Sequence, residues 1–323
     1  MRIYTDRFHV GAGTTVGPLT VFPVWGEKVS SLRHAVSSDA RMRVTELDTP
    51  TVGRLNVANT ANHVLLVPEG TILDGGHQTR VVVRDQLIVP GTNRDIEVRC
   101  VEQGRWGGNG EHEVDGRAPI SVVAALRGIT ANGAASADQG EVWRRVSKLE
   151  EKFGRRETNS LLDVMAEHNL NTKPERVERG RRVNGDRRPS RITPQLVAEL
   201  RRIAANQLPG QSGVLVGLGG VPLALDLYGH YSSLGEQIQA VLSAMLIDST
   251  DLEWRPTPGQ IARDFAEEIM YTPVDITRQG SISRQYSGAG EHVNIRAITA
   301  HRADTTALHL GVINHRHQVA LAA

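Results

Sequence analysis

The apolar residues of this chain change their period once, and that change limits what it can fold into. From residue 19 to about 106 they come in short runs rich in Val, Ile and Leu: "LTVFPVW", "RMRVTEL", "RLNVANT", "HVLLVPEGTIL", "QTRVVVRDQLIVP" and "DIEVRCVE". Gly, Pro, Asn and Asp separate the runs, which reads as several short strands in an antiparallel, sandwich-like or partly open barrel-like part. Between the first two, "KVSSLRHAVSS" reads as a short helix. From about 138 the spacing becomes helical. In "DQGEVWRRVSKLEEKFG" the residues Val142, Val146, Leu149 and Phe153 fall on one helix face, and Gly154 is a stop.

"TNSLLDVMAEHN" is a second, shorter helix, and "TPQLVAELRRIAANQLPG" opens with Thr193 as cap and Pro194 in the first turn. The last third mixes both periods. "GVLVGLGGVPLALDLYG" is a hairpin about Gly219-Gly220, followed by helices in "SLGEQIQAVLSAMLIDS" and "TPGQIARDFAEEIM". "EHVNIRAITA" and "TALHLGVIN" form a closing hairpin that extends the same sheet. The expected fold class is therefore α+β. A β-rich domain occupies 1–115 and a linker or lid 116–137. An α+β domain with helices on an antiparallel sheet occupies 138–323.

Charge and cysteine content exclude several functions. The 323 residues include 37 basic and 36 acidic ones, a net charge of +1, so nothing favours general binding to nucleic acid or a membrane surface. No run approaches the roughly 20 apolar residues of a membrane helix, and "MRIYTDRFHVGAGTT" lacks a signal-like core. A cytoplasmic protein without a membrane partner is expected. The single cysteine, Cys100, rules out an internal disulfide and a cysteine metal cluster. The 12 histidines show no HExxH spacing, and His309, His315 and His317 read as a solvated tail, so no metal is expected and no cofactor is assigned.

One local patch stands apart. The segment 173–191, "KPERVERGRRVNGDRRPSR", carries eight basic residues against three acidic ones, a local +5, and almost nothing apolar. It is a solvated loop, or a surface for an anionic partner such as nucleic acid, a polyphosphate or another subunit.

The most informative stretch is "GGHQTRVVVRDQLIVPGTNRDIEVRCVEQGRWGG", residues 75–108. With the turn at "PGTNRD", paired positions sum to about 185, which sets Arg80 opposite the region of Arg105. Val81, Val83, Leu87, Ile96, Val98 and Cys100 then form the core face, and Gln78, Arg80, Gln103 and Arg105 the other. Neighbouring guanidiniums repel unless something negative lies between them: Glu69 or Glu102 from the chain, or a bound anion. Trp106 is placed to stack on a base or to cap the sheet.

"VPEGTILDGGHQTRVVV" followed by "IEVRCVEQGRW" resembles the signature of the ARG and rhodanese-phosphatase-superfamily-associated protein domain family. The likeness extends through "EVWRRVSKLEEKFG", "TNSLLD", the 213–249 hairpin and helix, and "ALHLGVIN". Pro68 stands where the family often has Gly, and 173–191 looks like an insertion. The association with ADP-ribosylglycohydrolases in the family's name implies a setting in NAD or ADP-ribose metabolism, and makes a phosphate-bearing nucleotide the first ligand to consider.

Three functions follow. The first is a non-catalytic, accessory binding module, with Glu69, Gln78, Arg80, Glu102, Gln103, Arg105 and Trp106 around a small anionic, ADP-ribose- or nucleotide-like ligand. Arginines would take the phosphates, Glu102 a ribose hydroxyl and Trp106 the base. The second is a self-assembling homo-oligomer. The third is an enzyme acting on such a ligand, with Cys100 as nucleophile and Glu102 as general acid or base. Against the third, Cys100 falls on the expected core face, and no nucleotide-binding or hydrolase motif is present.

Overall fold

In the computed structural model the described residues are 3–4, 7–32, 34–38, 40–130, 133–134, 138–153, 159–168, 170, 191–301 and 306–321. The chain opens with β1 (Ile3–Tyr4), β2 (Phe8–Val10), β3 (Thr14–Val16) and β4 (Leu19–Gly26). Next come β5 (His34–Val36), β6 (Met42–Thr45), β7 (Arg54–Asn59), β8 (Val64–Val67) and β9 (Thr71–Gly75). The signature region holds β10 (Arg80–Val82), β11 (Gln86–Ile88), β12 (Asn93–Cys100) and β13 (Glu111–Arg117). Then follow α1 (Ile120–Leu126), β14 (Ile129–Thr130), β15 (Gly133–Ala134), α2 (Gln139–Lys152), α3 (Leu161–Glu167) and α4 (Pro194–Ala205). The last part is β16 (Gly213–Leu218), β17 (Val221–Tyr228), α5 (Tyr231–Ile247), α6 (Gly259–Tyr271), β18 (Pro273–Gln279), β19 (Ser283–Ala289), β20 (Val293–Ala300), β21 (Ala307–Asn314) and α7 (Gln318–Leu321).

The α+β class holds, with mainly antiparallel sheets, but the N-terminal β part closes where a sandwich-like pairing was expected. Strands β10, β12, β7, β6, β13 and β9 form a six-stranded barrel. Each of the six has a partner on both sides, so none is left as an edge. Its interior holds Val44, Leu55, Val57, Leu73, Val82, Ile96 and Val98. Strands β11, β8 and β5 make a small separate sheet. The expected helix at 28–38 is absent from its described residues. His34–Val36 instead pairs parallel to β8, because Ala35 and Val36 find a buried slot beside Leu65 and Leu66.

The second layer is a ten-stranded sheet ordered β1-β18-β19-β20-β21-β17-β16-β4-β2, with β3 on β4. The two predicted hairpins, β16/β17 and β20/β21, are both antiparallel neighbours in it. Tyr4 pairs at one end of the sheet and Phe8 at the other. Four residue steps span at most about 14 Å, so the sheet curls almost onto itself. Helix α6 packs against β2, β17 and β20 inside that curl, burying Phe265 and Ile269 against Phe8, Phe22 and Val312.

Sheet membership does not follow the expected division at residue 115, because β2 to β4 belong to the large sheet. Within the expected linker or lid at 116–137, of which 131–132 and 135–137 lie outside the described residues, Val122, Ala124, Ala125 and Leu126 of α1 are fully buried. Of the arginine-rich segment 173–191, only Arg191 lies within the described residues. Its guanidinium stacks 4.9 Å above Trp254. No helix among the described residues is long and apolar enough to cross a membrane.

The barrel and the large sheet are joined by buried charges. His309 of β21 contacts Asp85, from the β10–β11 connection, at 2.9 Å on Nδ1 and Asp226 of β17 at 3.0 Å on Nε2. Arg117 of β13 donates to the Tyr228 hydroxyl at 2.9 Å and to Asp226. Glu69 takes bonds from Arg127 at 2.9 and 2.6 Å and is also paired with Arg296. His309 and His317, expected in a solvated tail, are both buried.

A further buried carboxylate, Asp248, accepts from the Ser121 N–H at the start of α1. Burial outweighs that bond and pushes its pKa up from 3.8 to about 6. The folded state therefore holds the proton more tightly than the unfolded chain. That contribution is complete below pH 3.8 and is lost as pH rises through about 6. Asp248→Asn is expected to stabilise the protein by up to about 3 kcal/mol above pH 6 and by little below pH 4, measured by urea unfolding across pH.

Candidate functional site

The strand pair carrying the signature is set differently from the sequence expectation. Arg80 stands opposite Cys100, not the region of Arg105, and Val82 opposite Val98. These pairs sum to 180, an odd number of residues from the expected 185, and an odd slip exchanges the faces. Arg80 therefore shares the barrel's inner face with Val82, Val98 and Cys100, while Val81, Val83 and Val101 pack outward against the helices. The expected long first strand breaks at Arg84-Asp85, and its second half, β11, leaves to pair with β8. Both faces of β10 are buried, so alternation could not reveal which was inward.

At this end of the barrel the lining turns polar. Arg80 is 0% exposed, and none of its Nε, Nη1 and Nη2 atoms has a hydrogen-bond partner among the described residues. Burial lowers its pKa, weakly opposed by Cys100 and Glu46, yet an arginine stays charged. Trp106 lies over the guanidinium at 5.9 Å and against the His77 ring at 5.1 Å, and is itself 54% exposed. It is the solvent-facing neighbour of Arg80. Gln78 donates to the Glu102 carbonyl at 3.3 Å and leaves its buried Oε1 unpartnered.

Three mouth residues were not among those singled out from the sequence. Glu46 accepts from the His77 N–H at 3.0 Å and lies 3.2 Å from His112 Nε2, with its Oε2 buried and unpartnered. His77 Nδ1 is buried without a partner among the described residues as well. Burial, only partly offset by Glu46, lowers the pKa of His112, which disfavours the charged ring. Gly76 gives these rings their space: its φ is +48°, and a Cβ there would lie 2.1 Å from His112 Nε2.

The other expected residues divide. Glu102 and Arg105 form a closed clamp. Arg105 Nε and Nη2 donate to the two carboxylate oxygens at 2.8 and 2.7 Å. Its other bonds go to the carbonyls of Gly75, Gly76 and Gly107. Thr79 adds its N–H and hydroxyl to Glu102 at 3.0 and 2.9 Å. Burial would raise the Glu102 pKa, but Arg105 and Thr79 hold it below the usual range. These two residues build the wall of the mouth. Gln103 is exposed, with its N–H on the Asn159 carbonyl, and Glu69 lies apart in the ion network with Arg127 and Arg296. Cys100 is fully buried, burial raises its pKa, and its Sγ donates to the Glu102 carbonyl.

Chemically, the mouth offers free donors on one buried cation, free acceptors on Gln78 and Glu46, and an aromatic face open to solvent. Among the described residues no group of three or more His, Cys, Asp or Glu is arranged to hold a metal ion. A family model described as ARG and Rhodanese-Phosphatase-superfamily-associated Protein domain matches residues 7–185, which include the whole barrel. No curated protein and no solved structure matches the chain.

Proposed function

The chain belongs to the ARG and rhodanese-phosphatase-superfamily-associated protein domain family, and from the mouth of its barrel we propose that it binds a small, hydroxylated anion of the ADP-ribose or nucleotide type. The observation that carries this reading is the Arg80 guanidinium, buried with three nitrogens that have no hydrogen-bond partner among the described residues. Desolvating a cation costs several kcal/mol unless hydrogen-bonded charge compensates it. An oxyanion entering past Trp106 supplies that compensation. Gln78 Oε1 and Glu46 Oε2 lack donors among the described residues, which calls for hydroxyl or N–H groups on the same ligand. A sugar phosphate meets both demands, and a base attached to it reaches the open face of Trp106.

Arg105 and Glu102 act here as the frame and do not touch the ligand, since their bonds are already satisfied within the loop. The role is binding without catalysis. A thiol raised by burial is a poor nucleophile, and a carboxylate held low by Arg105 is a poor acid. Barrel mouths are a common place for such sites. The family's association with ADP-ribosylglycohydrolases points to the same ligand class.

The test is thermal unfolding with inorganic phosphate, ribose 5-phosphate and ADP-ribose. At 100 times its dissociation constant a ligand stabilises by about 2.7 kcal/mol. ADP-ribose is expected to act at the lowest concentration. Trp106→Ala should weaken ADP-ribose by about 1–3 kcal/mol and leave phosphate unchanged. If none of the three moves the transition, the reading fails.

A further inference from the structure

We infer that the cleft between the barrel and the large sheet, around Arg84, Arg278 and Arg296, is a second and separate site for a small polyanion of the phosphate or diphosphate kind. This cleft encloses about 220 Å³, and its rim includes Arg84, Arg127, Arg296, Thr277, Ser287 and Asn294. Asp85 of the β10–β11 connection and residues of β18, β19 and β20 line it.

The charges of the cleft do not balance. Among the described residues, Glu69 is the one carboxylate paired with both Arg127 and Arg296. Glu97 is shared by Arg84 at 3.1 Å and Arg99 at 3.0 Å. Asp85, the other acid of the lining, is taken by His309. Arg278, exposed at the bulge of β18, is not itself in the lining but follows Thr277, which is, and it has no ion pair among the described residues. Its field reaches Arg84: after burial, it is the largest influence lowering the Arg84 pKa. The Nε of Arg84 is buried and has no hydrogen-bond partner among the described residues. Three guanidiniums of the lining, Arg84, Arg127 and Arg296, thus share Glu69 and Glu97, the latter also taken by Arg99, and Arg278 adds a further positive charge beside them.

Like charges held this close in a partly desolvated cleft repel strongly unless a counter-charge joins them. A single negative charge would leave the cluster cationic, which favours ligands of two or more charges. Arginine's forked N–H pairs match the oxygens of phosphate and carboxylate. The volume is below the roughly 300 Å³ where drug-sized pockets begin, and it suits one or two phosphate groups. The hydroxyls of Thr277 and Ser287 and the amide of Asn294 line the same space. The barrel-mouth reading does not depend on this cleft, because Arg80 and Arg84 belong to different surroundings.

Isothermal titration at low salt with inorganic pyrophosphate, and with citrate as its carboxylate counterpart, tests the inference on the full chain. Pyrophosphate is expected to bind wild type, with affinity falling at least tenfold in Arg278→Ala and in Arg84→Gln. Arg84→Lys, which keeps the charge, should keep most of the binding, and circular dichroism verifies that each variant is folded. Because the barrel mouth also takes an oxyanion through Arg80, the Arg84 and Arg278 variants are compared in the Arg80→Met background, where the pyrophosphate binding that remains belongs to this cleft. Citrate binding with the same variant pattern supports a site selected by charge and size. Its failure beside bound pyrophosphate supports a phosphate site. No binding of either anion to wild type, or equal binding to folded Arg84→Gln and Arg278→Ala, overturns the inference.

Discussion

Arg80→Met is expected to make the ligand-free protein more stable, by about 1–3 kcal/mol, and at the same time to abolish its stabilisation by ADP-ribose. Most large-to-similar replacements of a fully buried residue are neutral or harmful. Here the sign reverses because the native side chain is a charge with no hydrogen-bond partner among the described residues. Methionine fills nearly the same path, packs against Leu73, Val82 and Cys100, and removes the desolvation penalty. Alanine would mix that gain with the loss from a cavity, so methionine is the informative variant. Urea unfolding with and without ADP-ribose reads both halves of the result. A destabilised Arg80→Met would mean that the guanidinium is already compensated within the fold.

The second large effect concerns His309. His309→Leu should cost about 3–5 kcal/mol, because it strands Asp85 and Asp226 in the interior with less compensation. Adding Asp85→Asn should recover part of that loss, since the two residues share one network. The pH dependence is specific. Burial alone would lower the His309 pKa, but Asp85 and Asp226 outweigh it and push it up from 6.5 to about 9. The stability this proton confers is complete below pH 6.5 and is lost as pH rises through about 9. The full difference is on the order of 3 kcal/mol. On the acid side, burial opposes but Arg117 and His309 hold Asp226 well below 3.8, so its contribution is present above 3.8 and fades as pH falls. Wild type should therefore lose stability between pH 6.5 and 9, and His309→Leu should lack that slope. Equal slopes in the two proteins would contradict the charge assignment.

How much of this was legible in the sequence follows from the range of the interactions. The hairpins at 213–228 and 293–314 were legible because their turns and partners are local. Thr193 caps α4 through its side chain as the Thr-Pro pair implies, a signal confined to one turn. Barrel closure depends on β13 meeting both β6 and β9, pairings that no local pattern encodes. The β10/β12 register failed for a related reason: β11 departs to another sheet, so the turn that would have set the register is not a hairpin turn. The site was half legible. Gln78, Arg80, Glu102, Arg105 and Trp106 do come together, whereas Glu69 and Gln103 do not join them. Asp226 and His309 left a usable trace, since each interrupts an otherwise apolar strand, as in "VPLALDLY" and "ALHLGVIN". A charge inside such a run is costly unless paired, and it marks an interior network more often than an error of reading. Glu46, His77 and His112 had no comparable signal, because the fold alone brings 46, 77 and 112 together.

Guanidinium resonances give the most direct measurement. In a ¹⁵N-labelled sample the Arg80 Nε–H signal, assigned by its loss in Arg80→Met, is followed while ADP-ribose is added. A free, buried Nε–H that gains an oxyanion should shift progressively and saturate with the same dissociation constant as the thermal stabilisation. If ADP-ribose binds and the Arg80 signal stays in place, the ligand sits elsewhere and the barrel mouth is not its site.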